Sequence, residues 1–180
     1  MRDLGGARAE LGSLAMSPRA RARAGESAHR RARETAPEGF RHEEKWRHTE
    51  EVEGWRCVIT ARVDGVVEAL DGRTLVEEVK SVGLSEAALG AAEIAESWRR
   101  QLSAYLYIAE AAMLPRPEGR LRLVSLVDGS QRVVALHPDP AFALWLKAWL
   151  RARVRARALW LAWRHLRRDD DLGGWVRLLR

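Results

Sequence analysis

Alternation of apolar and polar residues is clearest between positions 56 and 82. From Arg56 to Ala69, even-numbered and odd-numbered residues form two alternating sets. Because successive side chains of a strand point to opposite faces, this alternation predicts a β-strand. Asp71-Gly72 follows, a pair typical of hairpin turns, and a second strand is predicted from Thr74 to Val82. The polar segment 43–53 has a weaker alternation and predicts an edge strand. The centre of this chain is therefore expected to be a β-hairpin.

Helical patterns lie on both sides of that hairpin. Pro18 suits a first helical turn, and a helix is predicted from there to about Thr35. A long helix is predicted from Ser85 to about Met113, with Gly90 as a candidate break. A last helix is expected from 139 or 140 to about 167. Between these two, strands 120–127 and 131–137 flank a second hairpin turn at 128–130.

The last predicted helix carries an apolar stripe. We interpret the stripe as a core face rather than a platform on which nucleic-acid bases stack. Arginines surround this helix, which favours a solvated surface, with a phosphate-tracking surface as the alternative. The stripe consists of Trp145, Trp149, Ala152, Ala156, Trp160 and Trp163, and the arginines are Arg151, Arg153, Arg155 and Arg157.

The order of elements predicts an α/β sandwich with a central mixed sheet flanked by helices. Its 180 residues suit one domain, which we place at 18–168, between a flexible extension (1–17) and a C-terminal tail (169–180). Basic residues outnumber acidic ones, 31 to 25, a formal charge of +6 that favours polyanionic partners.

Cysteine and hydropathy exclude several classes of protein. A single cysteine, Cys57, excludes an internal disulfide and a four-cysteine metal site, and it fits a reducing compartment such as the cytoplasm. Charged residues interrupt every apolar run before the roughly 18 residues that a membrane span requires, so no membrane is expected.

Candidate chemistry lies on the two strands of the central hairpin. Glu78 and Lys80 have the same parity and share one face, and folding at 71–72 brings Asp64 beside them. Two carboxylates, aided by the carbonyl of Val79, form an oxygen-rich pocket suited to Mg²⁺ or Mn²⁺. Lys80 is placed to orient a water molecule and to oppose negative charge on a phosphate. An ordinary surface salt bridge is the alternative, and Glu77, of opposite parity, is expected to be solvent-exposed or supporting.

The segments around these residues resemble the RecB-like branch of the PD-(D/E)xK nucleases. Asp64 and Glu78-x-Lys80 correspond to the core motif, Gly25-x-x-x-His29 to the upstream histidine motif, and Gln101-x-x-x-Tyr105 to the downstream motif. The match extends over positions 29–105. The layout is most similar to the nuclease-like domain of bacterial DinG/XPD-like helicases and to CRISPR-associated RecB-like exonucleases. It departs from the latter because one cysteine cannot hold their iron–sulfur cluster.

The resemblance implies a restriction-endonuclease-like α/β/α fold and a role for each matched residue. His29, Asp64 and Glu78 would ligate the metal, together with the Val79 carbonyl. Lys80 would be catalytic alongside the two acids. Gln101 and Tyr105 would support the site and contact DNA.

The implied activity is that of a bacterial, cytoplasmic Mg²⁺- or Mn²⁺-dependent deoxyribonuclease. It would hydrolyse phosphodiester bonds in DNA repair or processing, favour single-stranded ends and act with a helicase encoded elsewhere, since no Walker motif is present. The rival expectation is a catalytically silent module that keeps the nuclease fold and serves DNA binding or docking in a helicase or repair complex.

Overall fold

A computed structural model describes residues Arg19, Arg23, 25–27, Arg30, Glu34 and 37–166. The described residues before position 37 have helical backbone, as the predicted first helix requires. The chain divides into two compact units. The first comprises Met1–Trp46 and Ala61–Pro138, and the second comprises Arg47–Thr60 and Asp139–Arg180.

The molecule is a mixed α/β protein, and its five strands form one sheet in the order β1-β2-β3-β4-β5. Strands β2 and β3 pair antiparallel, β3 and β4 parallel, and β4 and β5 antiparallel, so the predicted mixed sheet is confirmed. The strands are β1 (Arg41–Val52), β2 (Trp55–Glu68), β3 (Thr74–Val82), β4 (Glu118–Ser125) and β5 (Gln131–Leu136), and the helices are α1 (Glu86–Ala91), α2 (Glu96–Ala111) and α3 (Pro140–Leu166).

The connection from β3 to β4 contains two helices, so the predicted long helix is interrupted, close to the candidate break at Gly90. Parallel neighbours need such a crossover. The helix is interrupted after α1, and Arg132 of β5 donates hydrogen bonds to the carbonyls of Leu89 (3.0 Å) and Ala92 (2.7 Å). These bonds satisfy carbonyl groups that the end of a helix leaves unpaired. A residue that is distant in sequence therefore caps the end of α1.

The core of the first unit lies between the sheet and α2. It joins residues of every central strand to one face of the helix, whose leucines are fully buried. Its buried members are Val63, Val66, Val76, Leu89, Leu102, Tyr105, Leu106, Ala109, Leu121 and Leu123. Because Tyr105 belongs to this core, the face of β3 that α2 covers also carries the candidate site.

The second unit contains α3 and the turn between β1 and β2. Glu53 and Gly54 both have positive φ, 49° and 78°, as a type I′ hairpin turn requires. The predicted tryptophan core is wrong, because the four tryptophans of α3 are 40–52% exposed. The buried stripe is instead formed by Leu146, Leu150 and Val154, each 7% exposed. None of the helices described, α3 included, combines the length and the apolar character needed to cross a bilayer.

Candidate active site

Strands β2 and β3 separate beside Asp64. Their paired residues run from Glu68 and Thr74 to Gly65 and Glu77. At the next position of β2, the side chain of Asp64, rather than the strand backbone, bonds to β3. Its Oδ2 accepts a hydrogen bond of 2.8 Å from the backbone N–H of Val79. The carboxylate is thereby fixed over the middle of the predicted Glu78-x-Lys80 motif.

Glu78 is the most deeply buried acid of this region, with 2% of the residue exposed. Its Oε1 accepts a short hydrogen bond from the Lys80 ammonium. Within the described part of the chain, Oε2 is buried and accepts no hydrogen bond. Burial raises the pKa of the Glu78 carboxyl, and the negative charge of Asp64 raises it further, while Lys80 opposes both effects. The two acids are therefore close enough to repel each other.

A chain of hydrogen bonds joins Lys80 to α2. Lys80 Nζ donates to Gln101 Oε1 at 3.0 Å, and Gln101 Nε2 donates to the Tyr105 hydroxyl at 2.6 Å. The hydroxyl directs its own proton to the carbonyl of Arg62, 3.0 Å away. Burial raises the pKa of Tyr105, and the nearby charge of Glu78 adds to the increase, so the phenol stays neutral. Residues 101 and 105 thus tie α2 to both strands that carry the acids.

The structure therefore brings five of the predicted side chains into one group. Asp64, Glu78, Lys80, Gln101 and Tyr105 are connected through the contacts above. Val79 lies between them, as predicted. The sixth residue, His29, lies outside the described residues, and the predicted roles of all six remain predictions.

The start of the upstream motif lies next to β3. A Cβ placed on Gly25 would be 3.3 Å from the hydroxyl oxygen of Ser81, the residue after Lys80. Glycine therefore allows the backbone at position 25 to approach this strand closely.

Two ion pairs near the site were not predicted. Arg62 Nη2 lies 2.5 Å from Glu43 Oε2, and the pair is largely exposed. Arg62 lies two positions before Asp64, and residues two apart on a strand share one face. This spacing was the sequence signal that places Arg62 beside the site. Glu77 is buried, not solvent-exposed, and Arg122 binds both of its oxygens at 2.9 and 2.7 Å. No sequence signal connects residues 77 and 122, because their strands meet only through the crossover.

Glycine is required immediately after Asp64. The ring of Phe40 lies against Gly65, and a Cβ there would be 1.8 Å from Phe40 Cζ. Any other residue must displace the ring or the strand. The aromatic ring therefore fixes the backbone that presents the Asp64 carboxylate.

The donor atoms fit a divalent cation. Among residues 37–166 and the few described before them, no group of three or more His, Cys, Asp or Glu side chains is placed to hold a metal ion. Asp64 and Glu78 nevertheless supply two carboxylates against the one positive charge of Lys80. The unpaired, buried Oε2 of Glu78 is an oxygen of the kind that Mg²⁺ and Mn²⁺ prefer.

Neither a protein-family model nor a curated protein sequence matches this chain. Solved structures do match, and one of them is titled "Crystal structure of SSO0001". That protein is 15% identical over 71% of this chain, with a TM-score of 0.54. The match covers 56% of the length of SSO0001, so this chain spans little more than half of that protein. The likeness shows a shared fold and carries no information about chemistry.

Proposed function

We propose that this chain is a divalent-metal-dependent DNA nuclease of the RecB-like branch of the PD-(D/E)xK superfamily. The observation that carries the proposal is the connected group of Asp64, Glu78, Lys80, Gln101 and Tyr105. A surface salt bridge needs neither a buried acid nor a hydrogen-bonded link from its lysine to a neighbouring helix. The five-stranded mixed sheet with its helical crossover agrees with a restriction-endonuclease-like fold, which forms part of the proposal.

Asp64 and Glu78 are the side chains that would hold Mg²⁺ or Mn²⁺, with the Val79 carbonyl and His29 as further ligands. Each acid is already oriented from a different strand, Asp64 by the Val79 N–H and Glu78 by Lys80. When bound, such an ion lowers the pKa of a water molecule and polarises a phosphate. The raised pKa of Glu78 reflects burial and the adjacent charge of Asp64, which Lys80 alone does not offset. A bound divalent cation would supply the additional positive charge that balances the two carboxylates.

Lys80 is the residue that would contact the reacting phosphate. Of the three hydrogens of its ammonium group, two are directed to Glu78 and Gln101, and we assign the third to a phosphate oxygen. In hydrolysis a water oxygen bonds to phosphorus, the bond from phosphorus to one sugar oxygen breaks, and the proton that the water loses is balanced by the one that the departing sugar oxygen gains. Negative charge grows on the phosphate oxygens during attack, so a fixed ammonium stabilises the transition state more than the bound substrate.

Cleavage of labelled DNA by the purified full chain tests the proposal. Single- and double-stranded substrates are incubated with Mg²⁺, Mn²⁺ or EDTA, and products should form only with the metal ions. Lys80→Ala should slow cleavage by about 100-fold or more, the usual effect of removing one transition-state donor. Lys80→Gln, which keeps a hydrogen-bond donor beside Glu78, should also be slow while preserving the fold by circular dichroism.

The matched control is Lys45→Ala, which removes the same charge from an exposed position of β1. It should cleave at the wild-type rate. Metal-independent cleavage, or a folded Lys80→Ala protein that cuts as fast as the wild type, would overturn the assignment. Salt-sensitive DNA binding without any product in Mn²⁺ would instead identify a silent module that retains only the fold.

A further inference from the structure

Helix α3 presents an exposed face of aromatic rings. Trp145 and Trp149 stack with ring centroids 6.4 Å apart, and Phe142 lies 5.3 Å from Trp145. Trp160 continues this face three turns further along the helix and is 40% exposed. The buried stripe of α3 is separate, so these rings do not form the core of their unit. Exposed aromatic rings gathered on one surface are typical of a binding site.

Arginines lie directly on these rings. The guanidinium of Arg153 is 5.0 Å from the centre of the Trp149 ring, and that of Arg157 is 4.2 Å from the centre of the Trp160 ring. Arg164 is 5.2 Å from the centre of the same Trp160 ring. Each contact is a cation–π interaction that holds a positive charge against an exposed indole. We call Trp145, Trp149, Trp160, Arg153, Arg157 and Arg164 the Trp–Arg face.

All charged residues of α3 are basic. The sequence of Pro140–Leu166 contains one lysine and five arginines but no acidic residue. Lys147, Arg151 and Arg155 line a groove with the glutamates that precede and form the β1–β2 turn, and Arg155 pairs with Glu53 at 2.5 Å. The arginines of the Trp–Arg face lie outside that groove. Positive charge therefore remains on the aromatic face, where a polyanion would complement it.

We propose that the Trp–Arg face binds single-stranded nucleic acid. Bases would displace the guanidinium groups and stack on the indole rings, and the released arginines would contact the phosphates, the combination by which proteins bind single strands without sequence preference. Trp149 and Trp160 are separated by about 16 Å along the helix, at 1.5 Å per residue. This site does not require the proposed nuclease activity and lies on different residues.

An anionic membrane surface is the competing partner for an aromatic, basic helix. Membrane-surface helices place their charges opposite their apolar residues. In α3 the arginines lie on the tryptophans themselves, and exposed Leu144, Leu159 and Leu161 are distributed around the helix rather than gathered beside the rings. Because apolar and charged groups are interleaved, the geometry favours a partner that offers both flat rings and phosphates.

The test is binding of fluorescent oligothymidylate in EDTA, so that cleavage and metal binding play no part. Trp149→Ala and Trp160→Ala should each weaken binding by about 5- to 100-fold, as expected for loss of one stacked base. Trp149→Phe keeps a ring and should stay close to the wild type. Leu159→Ala is the matched control, because Leu159 is 70% exposed on the same helix and belongs to no ring pair. It should change affinity less than twofold.

Salt dependence tests the arginines separately. The slope of log K against log salt should decrease by about 0.7 when Arg153 or Arg157 is replaced with Gln, because each replacement frees one phosphate. Folded Trp149→Ala and Trp160→Ala proteins that bind as tightly as the wild type would overturn the proposal. So would binding to phosphatidylglycerol vesicles without binding to the oligonucleotide. Lys45→Ala, which removes a positive charge from an exposed position of β1, should bind normally. Because binding is measured in EDTA and cleavage in Mg²⁺ or Mn²⁺, failure of the nuclease proposal and failure of this one are distinguishable.

Discussion

Asp64 Oδ2 accepts a 2.8 Å hydrogen bond from the backbone N–H of Val79, at the point where β2 and β3 separate. Asp64→Ala should therefore lower the free energy of unfolding by about 1–3 kcal/mol, because it removes the acceptor of a partly buried N–H group. Asp64→Asn keeps an acceptor oxygen and should recover most of that stability. Urea unfolding followed by circular dichroism measures both values.

The same two variants separate structure from chemistry. If Asp64 holds a metal ion, Asp64→Asn should be nearly as stable as the wild type and still lose cleavage, because a neutral amide is a poor ligand for Mg²⁺. An Asp64→Asn protein with wild-type cleavage would show that the Asp64 side chain only accepts the Val79 hydrogen bond and holds no metal ion.

The raised pKa of Glu78 gives stability a pH dependence of known sign. Between the usual pKa of 4.5 and the raised value, the folded state binds more protons than the unfolded state, so the free energy of unfolding falls as the pH rises. Glu78→Gln removes this titration. Stability measured in EDTA should therefore decline with pH more steeply in the wild type than in Glu78→Gln, and equal slopes would contradict the assignment.

A bound divalent metal ion should offset the cost of ionising the buried Glu78 beside Asp64. Binding to the folded state alone stabilises it by about 2.7 kcal/mol when the metal concentration is 100 times the Kd. Mn²⁺ should therefore raise the melting temperature of the wild type and have little effect on Glu78→Gln. Thermal unfolding of the two proteins, with and without Mn²⁺, measures the difference, and an equal shift in both would exclude Glu78 as a ligand.

Tyr105→Phe should distinguish a structural role of the Tyr105 hydroxyl from a catalytic one. The hydroxyl accepts a hydrogen bond from Gln101 and donates one to the carbonyl of Arg62. Its removal should cost about 1–3 kcal/mol of stability because both partners lose a hydrogen bond in a partly buried place. Cleavage should slow much less than in Lys80→Ala, since Lys80 keeps both of its own hydrogen bonds. A decrease in rate equal to that of Lys80→Ala would give Tyr105 a direct part in the reaction.

Gly65→Ala should damage the site through Phe40. The new Cβ would overlap the ring, so we expect the free energy of unfolding to fall by about 1–3 kcal/mol, the usual cost of overpacking. Replacing Phe40 with Ala in the same protein should remove the collision and make the two changes non-additive. Gly83→Ala is the control, because nothing lies within 4 Å of a Cβ at that position. Additive effects of the Gly65 and Phe40 changes would contradict the close approach of the ring.

The sequence predicted the parts of this protein that depend on neighbours along the chain. The hairpin of β2 and β3 follows from alternation and from Asp71-Gly72, and the shared parity of Glu78 and Lys80 placed both on one face. Gln101 and Tyr105 were identified through the resemblance to the downstream nuclease motif, and their spacing of four puts them on one side of a helix.

The features that sequence reasoning missed depend on distant partners. Periodicity identified one apolar stripe on α3, that of the tryptophans, and assigned it to the core; the stripe of Leu146, Leu150 and Val154, which is the buried one, was not predicted. Gly90 was a sequence signal for a break near the end of α1, but the hydrogen bonds that cap this end come from Arg132 of the last strand and had no sequence signal. Of the two alternatives given for Glu77, the solvent-exposed one is wrong, and its ion pair had no sequence signal because Arg122 lies 45 positions further along the chain.

Adjacent acids on a central strand create an ambiguity of register that Arg122, on the neighbouring strand, removes. A shift of β3 by one residue would exchange the faces of Glu77 and Glu78, which are chemically identical. On one side, however, the planar guanidinium of Arg122 binds two oxygens, and on the other the compact ammonium of Lys80 binds one. Lys80 lies on β3 itself and would move with Glu78, so a shifted strand would keep that pair. Arg122 belongs to β4 and would stay behind, so the shift would leave Glu77 without its cation, and this cost favours the observed alignment.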